Sequence, residues 1–182
     1  MAQFLAGTGF GSDLFSRVRR AVMPGADATV GRGSPEDRPL YQAVSLLLDY
    51  PDTALLERLP LIRELAGERG EVARPLLPLL DHLGSTPLTE VQQEYVETFD
   101  LRRRCCLYLT YFRYGDTRKR GVALVDFVQA YKAAGADLQA AELPDHLGVL
   151  LEFGAQHDLD RCRELLVRNR PGLELLRISL TD

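Results

Sequence analysis

From Ser34 onward one device recurs: a capping side chain or a proline, apolar residues three and four apart, then a stop. Ser34-Pro35-Glu36-Asp37 supplies a hydroxyl cap, a proline for the first helical position and two acids for the positive end of the helix dipole. Leu40, Val44, Leu47 and Leu48 then share one face. Tyr50-Pro51 stops the run, because proline disfavours helix in the residue before it. Asp52 or Thr53 caps "ALLERLPLIRELAGERG", which Pro60 is expected to divide in two. A further helix is predicted from Val72 to Leu83, ending at Gly84. Thr86-Pro87 repeats the cap, with Leu88, Val91, Tyr95 and Phe99 at helical intervals behind it. "RKRGVALVDFVQAYKAAG" reads as a helix to Ala134, with Val122, Val125 and Lys132 tracing its turns and Gly135 stopping it. Asp158 caps another helix and Pro171 opens the last.

Little is left from which to build a sheet. "CCLYLTYFRY", Cys105 to Tyr114, has the aromatic and β-branched content of a strand. With no second strand in view to pair with it, the stretch is assigned to a helix. The expected fold is all-α, a single-domain helical bundle of about seven to nine helices over residues 36–182. A flexible arm is expected over residues 1–35, holding one short amphipathic stretch at Phe10, Leu14, Val18 and Val22.

Composition narrows the function. A net charge of −4 disfavours nucleic acid as a bulk partner. No apolar run approaches the roughly 20 residues that a bilayer requires. Arg19-Arg20 is followed by "PGADATVGRGSPED" instead of an apolar export segment, so the expected location is the cytoplasm, without membrane insertion. Adjacent Cys105 and Cys106, with Cys162 far away, make a poor disulfide framework and lack metal-ligand spacing. They read as small buried hydrophobes. No HExxH, phosphate loop or dinucleotide fingerprint occurs, and none of the three histidines sits beside a serine or cysteine in a recognisable nucleophile arrangement. No catalytic residue, metal site or cofactor is therefore assigned, and the protein is expected not to be an enzyme.

Two stretches carry recognition chemistry. The first, "EYVETFDLRRRCCLYLTYFRYGDTRKRG", mixes Tyr95, Phe99, Tyr108, Tyr111, Phe112 and Tyr114 with basic clusters at Arg102–Arg104 and Arg118–Arg120. Three readings compete: core aromatics with solvated arginines, an aromatic groove for an amphipathic guest, and nucleic-acid binding. The second is "AELPDHLGVLLEF". If Pro144 takes the first helical position, Asp145 falls in the first turn, where the dipole stabilises a carboxylate. Asp145, Gly148 and Glu152 then lie on one line, two acids about 10 Å apart flanking a position without a side chain. Such a strip would admit another backbone and meet its basic groups. His146 reads either as a half-buried imidazole bonded to a local carbonyl or as part of that recognition face.

"YQAVSLLLDYPD", "EYVETFDLRRRCCLYLTYFRYGDTRKRG" and "ELPDHLGVLLEF", in this order and spacing, resemble the nitrate reductase delta-subunit assembly chaperones. These belong to the all-helical redox-enzyme maturation chaperones. The resemblance runs from Tyr41 to Leu176. It implies a cytoplasmic protein that is absent from the finished enzyme. Its partner would be the N-terminal segment of the nitrate reductase catalytic (alpha) subunit, held for molybdenum cofactor insertion before membrane docking. Carried over, Pro144, Asp145 and His146 line a peptide groove, with Tyr95 and Asp100 facing them. The expected peptide-binding set is Tyr95, Phe99, Asp100, Tyr108, Tyr111, Pro144, Asp145, His146, Gly148 and Glu152. A different molybdoenzyme or a twin-arginine signal peptide is the alternative client, and a nucleic-acid-binding helical module is the other class. The N-terminal arm is longer than the family pattern, and Asp182 falls where many relatives continue into a polar tail. Monomer and helix-swapped forms both stay open.

Overall fold

The computed structural model describes residues 34–138 and 142–181, so the arm expected over residues 1–35 lies outside the described residues except for Ser34 and Pro35. Ser34 caps as expected. Its hydroxyl accepts from the Glu36 N–H at 3.4 Å, and the Asp37 carboxylate accepts from the Ser34 N–H at 3.1 Å. This reciprocal pair closes a 3-10 turn over Pro35–Asp37, which leads into α1, Arg38–Leu47.

Asp52 starts α2, Thr53–Glu68, by accepting from the Leu55 N–H at 2.7 Å. The expected break at Pro60 is absent, and α2 is continuous. Pro60 lies on the exposed side, while Leu55, Leu59, Ile62 and Ala66 bury the opposite stripe on both sides of it. Packing of that stripe outweighs the one hydrogen bond lost. The helix predicted from Val72 to Leu83 is instead two 3-10 turns, Gly70–Val72 and Arg74–Leu76, followed by α3, Leu77–Ser85. Pro75 and Pro78 cannot donate backbone hydrogen bonds, so a regular helix is delayed until Leu77.

Helix α4, Leu88–Tyr95, runs into a π-helical turn at Val96–Asp100, where the Leu101 N–H reaches back to the Val96 carbonyl. Thr86 does not cap α4; its hydroxyl meets His82 Nδ1 at 3.2 Å, and Pro87 holds the cap position. His82 and Glu94, both largely buried, tie α3 to α4 at 2.7 Å.

The helix assigned to Cys105–Tyr114 forms only at its ends, as a 3-10 turn at Arg103–Cys105 and the short α5, Tyr111–Tyr114. Between them the chain is not helical, and around Tyr108 it pairs with the "PDH" segment. Leu109 N–H donates to Asp145 O at 3.1 Å, and Leu147 N–H donates to Leu107 O at 2.8 Å. An isolated antiparallel bridge therefore joins Tyr108 to His146. The missing partner was present in the sequence, hidden inside a stretch read as a helix start.

Helix α6, Arg118–Ala133, ends at Gly135, whose φ of +70° suits a residue without Cβ. Its buried residues are Phe127, Ala130 and Tyr131, whereas Val122 and Val125 are exposed. Helices α7, Leu147–Gln156, α8, Leu159–Arg168, and α9, Arg170–Ser179, complete the chain. Asp158 caps α8 through the Arg161 N–H at 2.9 Å, as predicted. Among the described residues there are nine α-helices and no strand. None of these helices is long and apolar enough to cross a membrane.

Helix α7 is the centre of the bundle. It lies against α1, where Ser45 Oγ donates to Gly148 O at 2.8 Å, and against α8, where Gly154 abuts Cys162. Leu147, Leu150, Leu151 and Phe153 belong to one apolar cluster with Val44, Leu47 and Leu48 of α1. Each such side chain contributes about 1.5–3 kcal/mol by leaving water. Cys162 is buried beneath α7 and its thiol is pushed up to about 12 by that burial. Cys105 is also buried and Cys106 partly so; none of the three is in a disulfide, in line with the reading as small hydrophobes.

Candidate functional site

The bridge between Tyr108 and His146 determines what "PDH" does. In an extended pair, successive side chains point to opposite faces. Leu107, Leu109, Asp145 and Leu147 consequently turn into the core, whereas Tyr108 and His146 turn out. The two outward residues form the pair without direct backbone bonds, the arrangement that brings side chains closest. Their rings stand edge to face, with centroids 5.4 Å apart.

Asp145 is 0% exposed. Its Oδ2 accepts from the Thr110 N–H at 3.0 Å and from Thr110 Oγ1 at 2.5 Å. Arg120 Nη2 faces its Oδ1 at 3.6 Å, an ion pair without a hydrogen bond, so both atoms lack a hydrogen-bond partner. Arg120 Nε donates to Thr110 Oγ1 at 3.3 Å, and the guanidinium lies 5.4 Å from the Tyr108 ring centroid and 5.7 Å from that of Tyr111. A buried carboxylate is thus held beneath the surface tyrosine by one threonine and one arginine. Pro144 is buried too, and its carbonyl accepts from the Tyr131 hydroxyl at 2.6 Å.

These positions correct the expected geometry. Pro144 does not open the helix, because α7 begins at Leu147 with His146 as its N-cap. Asp145 therefore is not a first-turn acid on a rim. Gly148 faces α1 instead of a guest: a Cβ there would come 3.3 Å from the His146 ring and 3.7 Å from Ser45 O. Glu152 is exposed, but its neighbour is Gln156, whose amide donates to it at 3.0 Å. The two acids do not flank a strip. Phe99 is buried behind Tyr95, with centroids 4.9 Å apart, and is core and not groove wall. Tyr111 is partly buried and packs on Phe112 at 6.5 Å, behind Arg120.

Tyr95, Asp100, Tyr108 and His146 of the expected set stand instead with Tyr50, Asp49 and Glu142, which lay outside it. Tyr50 is 47% exposed and stands edge-on to Tyr95 at 5.5 Å. The Tyr95 hydroxyl donates to Leu48 O at 3.0 Å, which fixes its ring at the end of α1. Tyr108 donates to Glu142. Burial raises the Tyr95 hydroxyl above the usual phenolic range, with the charges of Asp100, Asp49 and Glu142 adding to it. Burial likewise raises Tyr108, helped by Glu142. Asp49, Asp100 and Glu142 are exposed, and the charge of each acts on the Tyr95 hydroxyl. Asp49, Tyr50 and Glu142 were missed as site residues. Tyr50-Pro51 was read only as a helix stop, and Glu142 was given no role. Among the described residues, no group of three or more His, Cys, Asp and Glu side chains could hold a metal ion.

His146 is half-buried, and desolvation lowers its pKa from 6.5 against the opposing pull of Glu142, Asp49 and Asp145. The unfolded chain therefore binds this proton more readily than the folded one. The resulting stability is complete above pH 6.5 and falls as pH drops through the window below it. A proton NMR titration of the imidazole is expected to give a midpoint below 6.5, and His146→Gln should remove this part of the acid sensitivity. A midpoint at or above 6.5 would show the ring to be solvated.

The fold is an all-helical bundle with a counterpart among solved structures. A solved structure of an Archaeoglobus fulgidus protein assigned to redox enzyme maturation superposes with a TM-score of 0.53 over 85% of this chain and 94% of that one, at 22% identity. The nitrate reductase delta subunit family model matches residues 64–180, and the chain belongs to that family. The nitrate reductase-like protein NarX of Mycobacterium tuberculosis is 37% identical over 151 residues, which are 79% of this chain and 22% of that protein. The nitrate reductase molybdenum cofactor assembly chaperone NarJ of Escherichia coli is 36% identical over 141 residues, 75% of this chain and 60% of the relative. The chain thus spans less than two thirds of the length of either relative.

Proposed function

We propose that this chain is a dedicated assembly chaperone of the cytoplasm, without turnover of its own, for respiratory nitrate reductase. It binds the N-terminal segment of the apo catalytic subunit and supports molybdenum cofactor insertion before the enzyme docks at the membrane. The observation that supports this best is the face formed by Tyr50, Tyr95, Tyr108 and His146, with Asp49, Asp100 and Glu142 around it. Aromatic side chains give large contact area at small entropic cost, and surrounding acids select a basic, amphipathic guest. Pro144, Asp145 and Gly148 serve that face from beneath, by fixing the backbone that displays His146.

Magnitudes suit a reversible holder. Apolar burial contributes about 25 cal/mol per Å². Ordering the guest costs about 2–5 kcal/mol. A peptide covering the three tyrosines and the histidine is expected to bind in the micromolar range and to weaken with salt.

Calorimetry with a synthetic N-terminal peptide of the catalytic subunit should give one site per chain. Tyr50→Ala and Glu142→Gln lie on exposed positions and should each weaken binding about tenfold, or about 1.4 kcal/mol, without changing the far-UV circular dichroism. Glu142→Gln should also flatten the salt dependence. Wild-type affinity in both variants would remove the aromatic face from the reading. Tighter binding of a twin-arginine signal peptide of another molybdoenzyme would reassign the client.

A further inference from the structure

The acidic aromatic face has a basic, apolar counterpart in the same chain. "FGSDLFSRVRRAVM", Phe10 to Met23, places Phe10, Leu14, Val18 and Val22 four apart, the spacing of a single helical stripe. Arg17, Arg19 and Arg20 accompany that stripe, against one acid, Asp13.

The face offers the complement. Tyr50, Leu101 and Leu143 are exposed, and each directly follows one of the acids Asp49, Asp100 and Glu142. Among the described residues, no basic side chain forms an ion pair with any of these three acids. An apolar stripe with arginines beside it therefore finds both its hydrophobic and its charged partners on one surface.

Reach permits the contact. Ser34 caps the turn that leads into α1, and Asp49 and Tyr50 follow the other end of that helix. At the rise of a 3-10 turn and a helix of this length, the separation is about 20 Å. The chain from Met23 to Ser34 spans up to about 36–40 Å when extended. Such a tether holds the segment near the face at about millimolar effective concentration. A contact as weak as about 0.3 mM would then keep the face mostly covered and lower client affinity about fourfold.

We propose that residues 10–23 are an internal pseudo-client, seated in cis on the face formed by Tyr50, Tyr95, Tyr108 and His146 and displaced by the client. The proposal rests on the reading of that face as a docking surface for a basic, amphipathic guest, and it names the occupant that precedes the client. A tethered competitor also raises the threshold for weak guests, so the segment contributes specificity.

The test uses the full chain and proton NMR of its histidine imidazoles, with no client present. Leu14→Ser combined with Arg19→Gln and Arg20→Gln should shift the His146 resonances and leave those of His157, at the opposite end of α7, in place. A synthetic peptide of residues 8–23 should return His146 of this variant to its wild-type position, and should move the wild type several-fold less. By calorimetry, the catalytic-subunit peptide should bind the variant at least threefold more tightly than the wild type. If that peptide binds neither protein while His146 still reports the segment, the client assignment falls and the internal contact stands. Identical His146 resonances in variant and wild type would overturn the proposal. So would a wild-type His146 position that changes with protein concentration, which would assign the segment to the face of a neighbouring copy.

Discussion

Asp145→Ala is expected to destabilise the fold by about 3–5 kcal/mol, the range for breaking a buried ion pair by removing one partner. The substitution strands three groups at once. Thr110 loses the acceptor for both its N–H and its hydroxyl, and Arg120 loses the carboxylate 3.6 Å away. None can turn to water where Asp145 stood, because that site is closed to solvent. Asp145→Asn keeps the shape and one acceptor oxygen but surrenders the charge opposite Arg120, so its loss should be smaller. Urea denaturation followed by circular dichroism measures both. A loss under about 1 kcal/mol for Asp145→Ala would mean that the carboxylate is not structural. Guest affinity should fall in Asp145→Ala only in proportion to the fraction unfolded, since the side chain does not reach the surface.

Gly154→Ala should cost about 1–3 kcal/mol or more by overpacking. A Cβ at this position would sit 2.7 Å from both Cβ and Sγ of Cys162 and 3.2 Å from the Tyr41 ring. The Cβ contact cannot be relieved by a rotamer change, because Cβ moves only with the backbone of α8. The interface between α7 and α8 must therefore open. Adding Cys162→Ala removes the sulfur and restores only part of the loss. Full recovery in the double variant would locate the strain in the thiol alone. Neutral behaviour of Gly154→Ala would mean that α8 slides freely on α7.

These two sites also mark where the sequence was legible and where it was not. Asp158 was correctly read as a cap, and Asp52 as one of two candidates, because capping is local: the carboxylate meets an N–H three residues on. The all-helical class and the single bundle follow from the same short-range periodicity. Asp145 was misplaced for a related reason. Read at a period of 3.6 it falls on a line with Gly148 and Glu152; in the folded chain Pro144 and Asp145 sit in a turn, and His146 pairs with Tyr108 before the helix begins at Leu147. What forces that change is Leu107 and Leu109, far away in sequence, and no local pattern encodes the pairing. Pro60 failed as a breaker because burial on the far side of α2 decides the matter. Of the acids whose charges act on Tyr95, Asp100 was in the expected set, whereas Asp49 and Glu142 were not. Asp49, Glu142 and Asp100 come from separate parts of the chain, and only tertiary packing gathers them around Tyr95.

The clasp between Leu107–Leu109 and Asp145–Leu147 has a temporal implication. Tyr108 leaves the ribosome well before His146, and the two become neighbours only after all of α6 has been made and folded back. An incomplete chain cannot display the pair. Under the proposed function, the capacity to grip a client would switch on late in synthesis, and a half-made chain would not sequester it.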